Sequence, residues 1–290
     1  MRRPALLLGL MASLGSCFAQ VTVEVVLDQD QFLPAEPLVA TIRLTNRSGQ
    51  TLSLGHGPEW LTFSMEAREG LVVSKTGEIP VAGEFVLPSS KVATRRVNLM
   101  PYFNLTRPGR YSVTASVRIQ QWDREFNSQP KAFDIIQGIK LWEQAFGVPQ
   151  PAGTGTGNPE VRKYALQQAN YLKQLKLYVR LTDAEESRVL RMLSLGTIVS
   201  FGRPEPQVDA ESNLHVLFQT GARAFSYCVI NPDGQVIARQ LHDYTTTRPR
   251  LRVDAGGKIS VAGGARRLTA DDVPAAPPPT GTNDVKAPKP

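Results

Sequence analysis

Apolar and polar residues alternate along short segments in the first half of the chain. Residues 38–44 place Leu, Ala, Ile and Leu at every second position, and residues 113–119 repeat this pattern. Period-two runs of this kind are typical of β-strands with one buried face. Turn-forming stretches such as NRSGQ at 46–50 separate the runs. Residues 20–137 are therefore predicted to form a β-sandwich of two sheets.

One turn in this half is more specific than the rest. In LTRPGRYSVTASV, at 105–117, Pro108 and Gly109 predict a tight turn and Tyr111 opens the following strand. This is the arrangement of a tyrosine corner, and Val113 stands where an immunoglobulin domain has its second cysteine. The stretch resembles cysteine-free immunoglobulin-like domains, including accessory domains of exported enzymes and the bacterial intracellular-proteinase-inhibitor domain. The resemblance implies an immunoglobulin-like fold and makes proteinase inhibition one hypothesis for function.

The second half of the chain contains an internal repeat. RPEPQVDAESNLHV at 203–216 aligns without a gap with RPRLRVDAGGKISV at 248–261, and each copy predicts a strand, an acidic turn and a second strand. Between them, NPDG at 231–234 predicts another hairpin. Strand pairs that recur about every 45 residues are typical of propeller blades. Residues 158–267 are thus predicted to form a second small β domain of about two propeller-blade-like repeats.

The regions on either side of this second domain have a different composition. Residues 138–157 are predicted to be a linker, in which IKLWEQAFGV forms a short helix or a strand extension before a spacer rich in Pro, Gly and Thr. Residues 158–175 have two interpretations, an amphipathic helix or a strand, and we favour the strand. The segment 268–290 is rich in Pro, Ala and Lys and is predicted to be a disordered tail.

The N-terminal sequence MRRPALLLGLMASLGSCFAQ has a basic start, a short apolar run and small residues before Gln20. This pattern predicts a secretory signal peptide over residues 1–19, and we favour cleavage after Ala19. The alternative is a lipobox in which Cys17 is acylated and becomes the first residue. The predicted location is therefore periplasmic or extracellular, or the outer membrane if Cys17 carries a lipid. No later run is long and apolar enough to predict a transmembrane segment.

Charge and cysteine content narrow the function only a little. The formal net charge is +7, but the basic residues are scattered. Arg248, Arg250 and Arg252 alternate onto one predicted strand face, which we interpret as a solvated surface and not as a site for an anionic polymer. No nucleic-acid-binding motif occurs. Either cleavage leaves Cys228 without an intramolecular partner, so we expect it to be a small buried residue.

The chemistry-bearing residues match no known catalytic or metal-binding pattern. The three histidines, His56, His215 and His242, are not at metal-ligand spacing with one another or with Cys or Glu. The sequence has no hydrolase elbow, metalloprotease helix, phosphate-binding loop or calcium loop. We therefore expect a protein that is not an enzyme and that has no metal and no cofactor.

Three longer stretches of the chain are similar in sequence to one group of bacterial proteins. LWEQAFGVP at 141–149, SNLHVLFQTGARAFSYCVINPDG at 212–234 and RPRLRVDAGGKISVAGG at 248–264 are similar to stretches of uncharacterised exported proteins of verrucomicrobial bacteria. This resemblance implies a bacterial envelope origin and brings no activity with it.

The main functional hypothesis is an envelope protein that presents sheet edges and loops to a protein partner, with self-association through the same edges. An inhibitor would act through a loop at 80–90 or 101–104. A carbohydrate-binding protein would need a row of exposed aromatic rings. The candidates for that row are Trp60, Tyr102, Phe103 and Trp122. The candidate ligand-binding residues are thus Trp60 and Trp122, together with Arg250 and Arg252.

Overall fold

A computed structural model describes residues 21–149 and 160–273. These residues form 21 β-strands and four short 3-10 helices, and none of them lies in an α-helix. The predicted all-β class is therefore confirmed. The predicted signal peptide with Cys17, the spacer at 150–157 and the tail beyond residue 273 lie outside the described residues.

The 3-10 helices are Pro58–Trp60, Arg68–Gly70, Met100–Tyr102 and Gln120–Trp122. The strands, in chain order, are β1 Val21–Leu27, β2 Gln31–Phe32, β3 Val39–Asn46, β4 Leu52–Leu54, β5 Leu61–Ala67, β6 Phe85–Leu87, β7 Val92–Asn98, β8 Gly109–Ile119, β9 Arg124–Asn127, β10 Lys131–Ile135, β11 Ile139–Gly147, β12 Val161–Tyr171, β13 Gln174–Asp183, β14 Val189–Thr197, β15 Glu205–Val208, β16 Leu214–Gln219, β17 Ala224–Ile230, β18 Val236–Asp243, β19 Arg250–Val253, β20 Ile259–Ala262 and β21 Ala265–Arg267.

The chain divides into two compact units, and the first contains 39–103, 111–132 and the described residues before 29. Strand β3 pairs with β1 and β7, β8 pairs with β5 and β9, and β4 pairs with β6, all antiparallel. Alternate residues of β8 are buried, from Tyr111 through Val113 to Ile119. The predicted alternation in this half is confirmed, because one face of each such strand packs into the interior.

The second unit contains 29–38, 104–110 and the described residues from 133 onward. Residues 29–38, 104–110 and 133–137, which the sequence analysis placed in the first domain, thus belong to this unit. Its strand pairings are the parallel pair β2–β10, the antiparallel sheet β11–β12–β13–β14, the antiparallel sheet β15–β16–β17–β18–β21 and the two-stranded ribbon β19–β20.

At the start of the second unit, two segments for which the sequence left a helix or a strand open are both strands, and the favoured strand within 158–175 is confirmed. The first part of the predicted linker is strand β11, which pairs with β12. The helical interpretation of 158–175 is wrong, because β12 and β13 form a long antiparallel hairpin. Its helix-like spacing arises because β12 is buried on both faces. Tyr164 and Leu166 face one apolar cluster, while Ala169 faces another.

The four-stranded and five-stranded sheets pack face to face around one apolar cluster. From the first sheet, Leu177 and Val179 are fully buried there, and from the second, Phe218 and Cys228. Cys228 is the small buried residue that the sequence predicted. The opposite face of the five-stranded sheet packs against Leu251 and Ile259 of the β19–β20 ribbon. That second interface creates the cleft described below.

Both copies of the repeat form the same hairpin. Val208 pairs with Leu214 in the first copy, and Val253 pairs with Ile259 in the second, which is the same register. Asp209 N–H donates to the Asn213 carbonyl, and Asp254 N–H donates to the Lys258 carbonyl, both at 3.0 Å. The two hairpins lie in different sheets, because β15–β16 joins β17 and β18 whereas β19–β20 stands alone.

We expect Leu177→Ala to lower the free energy of unfolding by about 2–5 kcal/mol, because it removes a fully buried side chain between two packed sheets. The matched control is Leu172→Ala in the β12–β13 turn, where the side chain is 66% exposed. That substitution should change the free energy of unfolding by no more than about 0.5 kcal/mol. Urea unfolding of the full chain checks both, and equal losses would contradict the assignment of this core.

Candidate binding cleft

A cleft of about 730 Å³ lies in the second unit between the two turns of the repeat. The turn of the first hairpin contributes Asp209, Glu211 and Asn213 to its wall. The turn of the second hairpin contributes residues 256–258. The repeated sequence therefore frames one cavity, which neither copy could form alone.

The floor of the cleft is one face of the five-stranded sheet. His215 pairs with Val229, which pairs with Ala238, and Tyr227 pairs with Gln240 in the next row. Directly paired residues of antiparallel strands project to the same face, so these side chains all line the cavity. The floor thus combines apolar surface with polar groups.

Three side chains of the cleft form a hydrogen-bond chain. Asp209 Oδ2 lies 2.9 Å from His215 Nε2, and His215 Nδ1 lies 2.6 Å from the Tyr227 hydroxyl. An ionised carboxylate only accepts hydrogen bonds, so Nε2–H donates to Asp209. Nδ1 of a neutral His215 then accepts the hydroxyl proton of Tyr227. The chain satisfies both nitrogens of a buried imidazole.

The surroundings of the chain fix the charges on the floor. Burial opposes ionisation of Asp209, but hydrogen bonds from His215 and Asn213 outweigh it and leave the pKa of Asp209 below its usual value. Burial raises the pKa of Tyr227 to about 12. Burial, together with Arg266, lowers the pKa of His242. At neutral pH this floor therefore carries a carboxylate, a neutral phenol and a neutral His242.

One wall of the cleft runs along the outer edge of strand β20. All residues from 256 to 261 line the cavity, although side chains at successive strand positions point to opposite faces. A cavity that contacts both sets must follow the edge of the strand. Among the described residues, β20 pairs only with β19, so this edge has no strand partner.

The hydrogen-bond alternation of the ribbon identifies which groups face that edge. Asp254 N–H donates to the Lys258 carbonyl, so these two opposed residues form a hydrogen-bonded pair. Hydrogen-bonded and non-hydrogen-bonded pairs alternate along an antiparallel ladder. The pairs 253/259 and 251/261 are therefore not hydrogen-bonded to each other, and they direct their backbone N–H and C=O groups outward. The Leu251 N–H does so, because it donates to Glu205 Oε2 at 3.1 Å. On the other strand, Ile259 and Val261 direct their backbone groups toward the cleft.

The tryptophans proposed as ligand-binding residues lie in the first unit. Trp60 is 2% exposed and donates its Nε1–H to the Val81 carbonyl at 2.8 Å, so the expectation that it contacts a ligand is corrected: its ring is not available for stacking. Phe103 is also buried. Trp122 is half-buried and donates to Gln50 Oε1. These rings do not form the exposed row that a carbohydrate platform requires.

The arginines proposed as ligand-binding residues do not line the cleft. Arg250 forms an ion pair with Glu205 at 2.7 Å, and Arg252 is exposed on β19. Arg248 precedes the strand and lies over the ring of Phe225. The loops proposed for an inhibitor are partly fixed in structure, because β6 lies within 80–90 and a 3-10 helix overlaps 101–104.

Sequence reasoning missed the cleft because the register of β16, β17 and β18 is not visible in the sequence. The sequence analysis considers His215 only as a metal ligand, and nothing in the sequence connects it with Tyr227. The repeated acidic residue was the available signal, since Asp209 occupies the same turn position as Asp254. Only the first copy has a histidine within reach of this carboxylate.

Comparisons with known proteins give little further information. No protein-family model matches the chain, and no curated protein is similar to it in sequence. A solved structure, that of the sporulation control protein Spo0M from Bacillus subtilis, aligns over 61% of this chain and 91% of its own, with 8% identity and a TM-score of 0.29. At this TM-score the two folds are not shown to be the same.

The described residues contain neither a membrane-spanning helix nor a metal-binding cluster. No helix among them has the length and apolar character needed to cross a membrane. Within the same residues, no group of three or more His, Cys, Asp or Glu side chains is arranged to hold a metal ion.

We expect Asp209→Asn to lower the free energy of unfolding at about pH 7 by about 1.5–3 kcal/mol, because hydrogen bonds to a charged group are lost. The lowered folded-state pKa means that this stability is present above the unfolded-state value of about 3.9 and is lost as pH falls through the folded-state value. The difference from wild type should therefore narrow as pH falls below about 5, where the carboxyl of the unfolded chain begins to bind a proton.

Asp254→Asn is the matched control for this prediction. Asp254 Oδ1 accepts backbone hydrogen bonds from Gly256 and Lys258, equivalent to those that Asp209 accepts from Glu211 and Asn213. Asp254→Asn should lower the free energy of unfolding by less than Asp209→Asn does at each pH. Denaturant unfolding at several pH values measures both variants, and a difference for Asp209→Asn that stays constant down to about pH 2 would refute the electrostatic origin.

Proposed function

We propose that this chain is an exported binding protein of the bacterial envelope that holds an extended segment of a partner protein in the cleft along β20. The observation that carries the proposal is that the unpaired edge of β20 faces a cavity of about 730 Å³. An extended peptide completes such an edge by backbone hydrogen bonds and places alternate side chains in the adjacent pocket.

The surface of the cleft suits a peptide better than a wholly apolar ligand. Val229 and Ala238 provide apolar floor, while Gln240 and His242 provide hydrogen-bonding groups. Glu211 and Lys258 are exposed on opposite turns and offer one charge of each sign. We therefore propose an occupant with small apolar side chains at alternate positions and polar groups between them.

We assign the Asp209–His215–Tyr227 chain a structural role in this binding. Tyr227 is 6% exposed, and its raised pKa keeps the phenol protonated near neutral pH. Its hydroxyl is engaged with His215. The chain holds the floor in one arrangement while the edge of β20 remains open, which supports binding without chemistry at this cleft.

The same proposal includes an immunoglobulin-like first unit, blade-like repeats in the second unit, export from the cytoplasm and self-association. An immunoglobulin-like first unit is supported by its antiparallel pairings and by the buried Tyr111 on β8. Blade-like repeats are supported by two successive antiparallel meanders, β11–β14 and β15–β18. Export is supported by the sequence of residues 1–19, and self-association by the unpaired edges of sheets among the described residues.

We expect Val261→Pro to weaken peptide binding without unfolding the protein. Proline has no backbone N–H to donate. The N–H of Val261 points away from β19, so its loss breaks no hydrogen bond of the ribbon, and an edge strand tolerates proline at such a position. Peptides selected from a random display library on the full chain would be titrated against wild type and variant by fluorescence anisotropy. The loss of one backbone hydrogen bond and the clash of the ring should weaken binding by about tenfold or more.

Val261→Thr is the matched control, because it retains the β-branched shape and the N–H. It should bind the selected peptides as wild type does. Enrichment of no peptide, or equal affinity for Val261→Pro and wild type with both folded by circular dichroism, would overturn the proposal of strand addition at β20.

A further inference from the structure

Ser53, His56 and Glu84 in the first unit form a second hydrogen-bond chain. Ser53 Oγ lies 2.7 Å from His56 Nε2, and His56 Nδ1 lies 3.0 Å from Glu84 Oε1. This is the arrangement of a hydroxyl nucleophile, an imidazole base and an orienting carboxylate, which is identified by geometry and not by order in the sequence.

The direction of the hydrogen bonds follows from the chemistry of the carboxylate. Ionised Glu84 has no proton to donate, so His56 Nδ1–H donates to it. This leaves the lone pair of Nε2 on a neutral His56 facing Ser53, whose hydroxyl then donates. The imidazole is thus held in the tautomer that accepts a proton from Ser53.

The backbone around these residues is shaped to bring them together. Ser53 lies on β4 and pairs with Val86 on β6, directly after Glu84 and Phe85. The loop from β4 turns at Gly55, where φ is +90° and an added Cβ would stand 2.0 Å from the Gly83 carbonyl oxygen. Only glycine permits this approach, and it places His56 between Ser53 and Glu84.

The chain is open to solvent, unlike the one in the cleft. The side chains of His56 and Glu84 are 39% and 72% exposed, and Ser53 is half-buried. Val86, the strand partner of Ser53 on the same face, is 62% exposed. A substrate can therefore approach the Ser53 hydroxyl.

We propose that Ser53 is a base-activated nucleophile that transfers acyl groups from small activated esters. Ser53 Oγ bonds to the carbonyl carbon as its proton passes to His56 Nε2, and the bond to the leaving alkoxide breaks. That proton passes to the alkoxide, which leaves as the alcohol. Water then attacks the acyl-serine with His56 as base, releasing the carboxylic acid and restoring Ser53. Glu84 is a positioning residue that fixes the imidazole.

This activity goes beyond peptide binding at the cleft and departs from the expectation that the protein is not an enzyme. The exposure of Glu84 limits how strongly it can hold the imidazole, because exposed ion pairs contribute little. We therefore expect slow turnover, and covalent capture of Ser53 is the sharper readout.

The test is to treat the full chain with a fluorophosphonate probe and to follow the adduct by intact mass and peptide mapping. We expect one adduct, on Ser53. Ser53→Ala should remove it, and His56→Gln should slow its formation by about a hundredfold or more, the scale of general base catalysis. Ser64→Ala, which changes an exposed serine on β5, is the control and should leave labelling unchanged.

Glu84 needs a readout that a purely structural role would not move. Because its carboxylate accepts the Nδ1–H of His56 at 3.0 Å, Glu84→Gln should slow the labelling of Ser53, and Glu84→Asp should restore much of the wild-type rate. Circular dichroism would show that each variant is folded. No adduct on the wild type, an adduct elsewhere, or equal rates for His56→Gln and wild type would overturn the proposal.

Discussion

The second unit depends on one constraint: the five-stranded sheet is covered on both faces. Every residue of β16 is buried, and so are six consecutive residues of β17. Polar groups on such strands have little contact with bulk water, so leaving one without a partner in the protein is costly. On the face toward the four-stranded sheet the side chains are mostly apolar. On the other face, His215 and Tyr227 meet each other and Asp209, and this pairing permits polar residues to line the floor of a cleft.

The repeat explains how that cleft is bounded. Asp209 and Asp254 each accept two backbone N–H groups in their turns, and Ser212 and Gly257 both have positive φ. The same local solution is used in two sheets, because a hairpin turn depends mainly on its own residues. What differs is the setting, since one hairpin is extended by β17 and the other is not. The open edge of β20 is therefore a property of the arrangement of sheets and not of the repeated sequence.

Local patterns predicted most of the strands, and pairings over long sequence distances were the part that could not be predicted. Alternation identified β3 and β8, and the Asn-Pro-Asp-Gly stretch identified the β17–β18 turn, where Gly234 has φ of +75°. For residues 139–147 the sequence left a short helix or a strand extension open, because most side chains of this strand are exposed and its apolar residues do not alternate regularly. His56 and Glu84 lie on different strand ends, and their contact depends on the β4–β6 register.

Burial decides what a carboxylate–histidine–hydroxyl chain can do. In the cleft, the hydroxyl belongs to a tyrosine enclosed by the sheet, and burial pushes its pKa further from neutrality. The proton therefore stays on the phenol, and the chain is suited to holding the floor. At Ser53 the same order of groups stands at the surface, where a reactant can reach the hydroxyl and water can reach the product. Because Glu84 is exposed, it holds the imidazole of His56 less rigidly. A substrate can therefore reach Ser53 more easily, but the reacting groups are less well oriented.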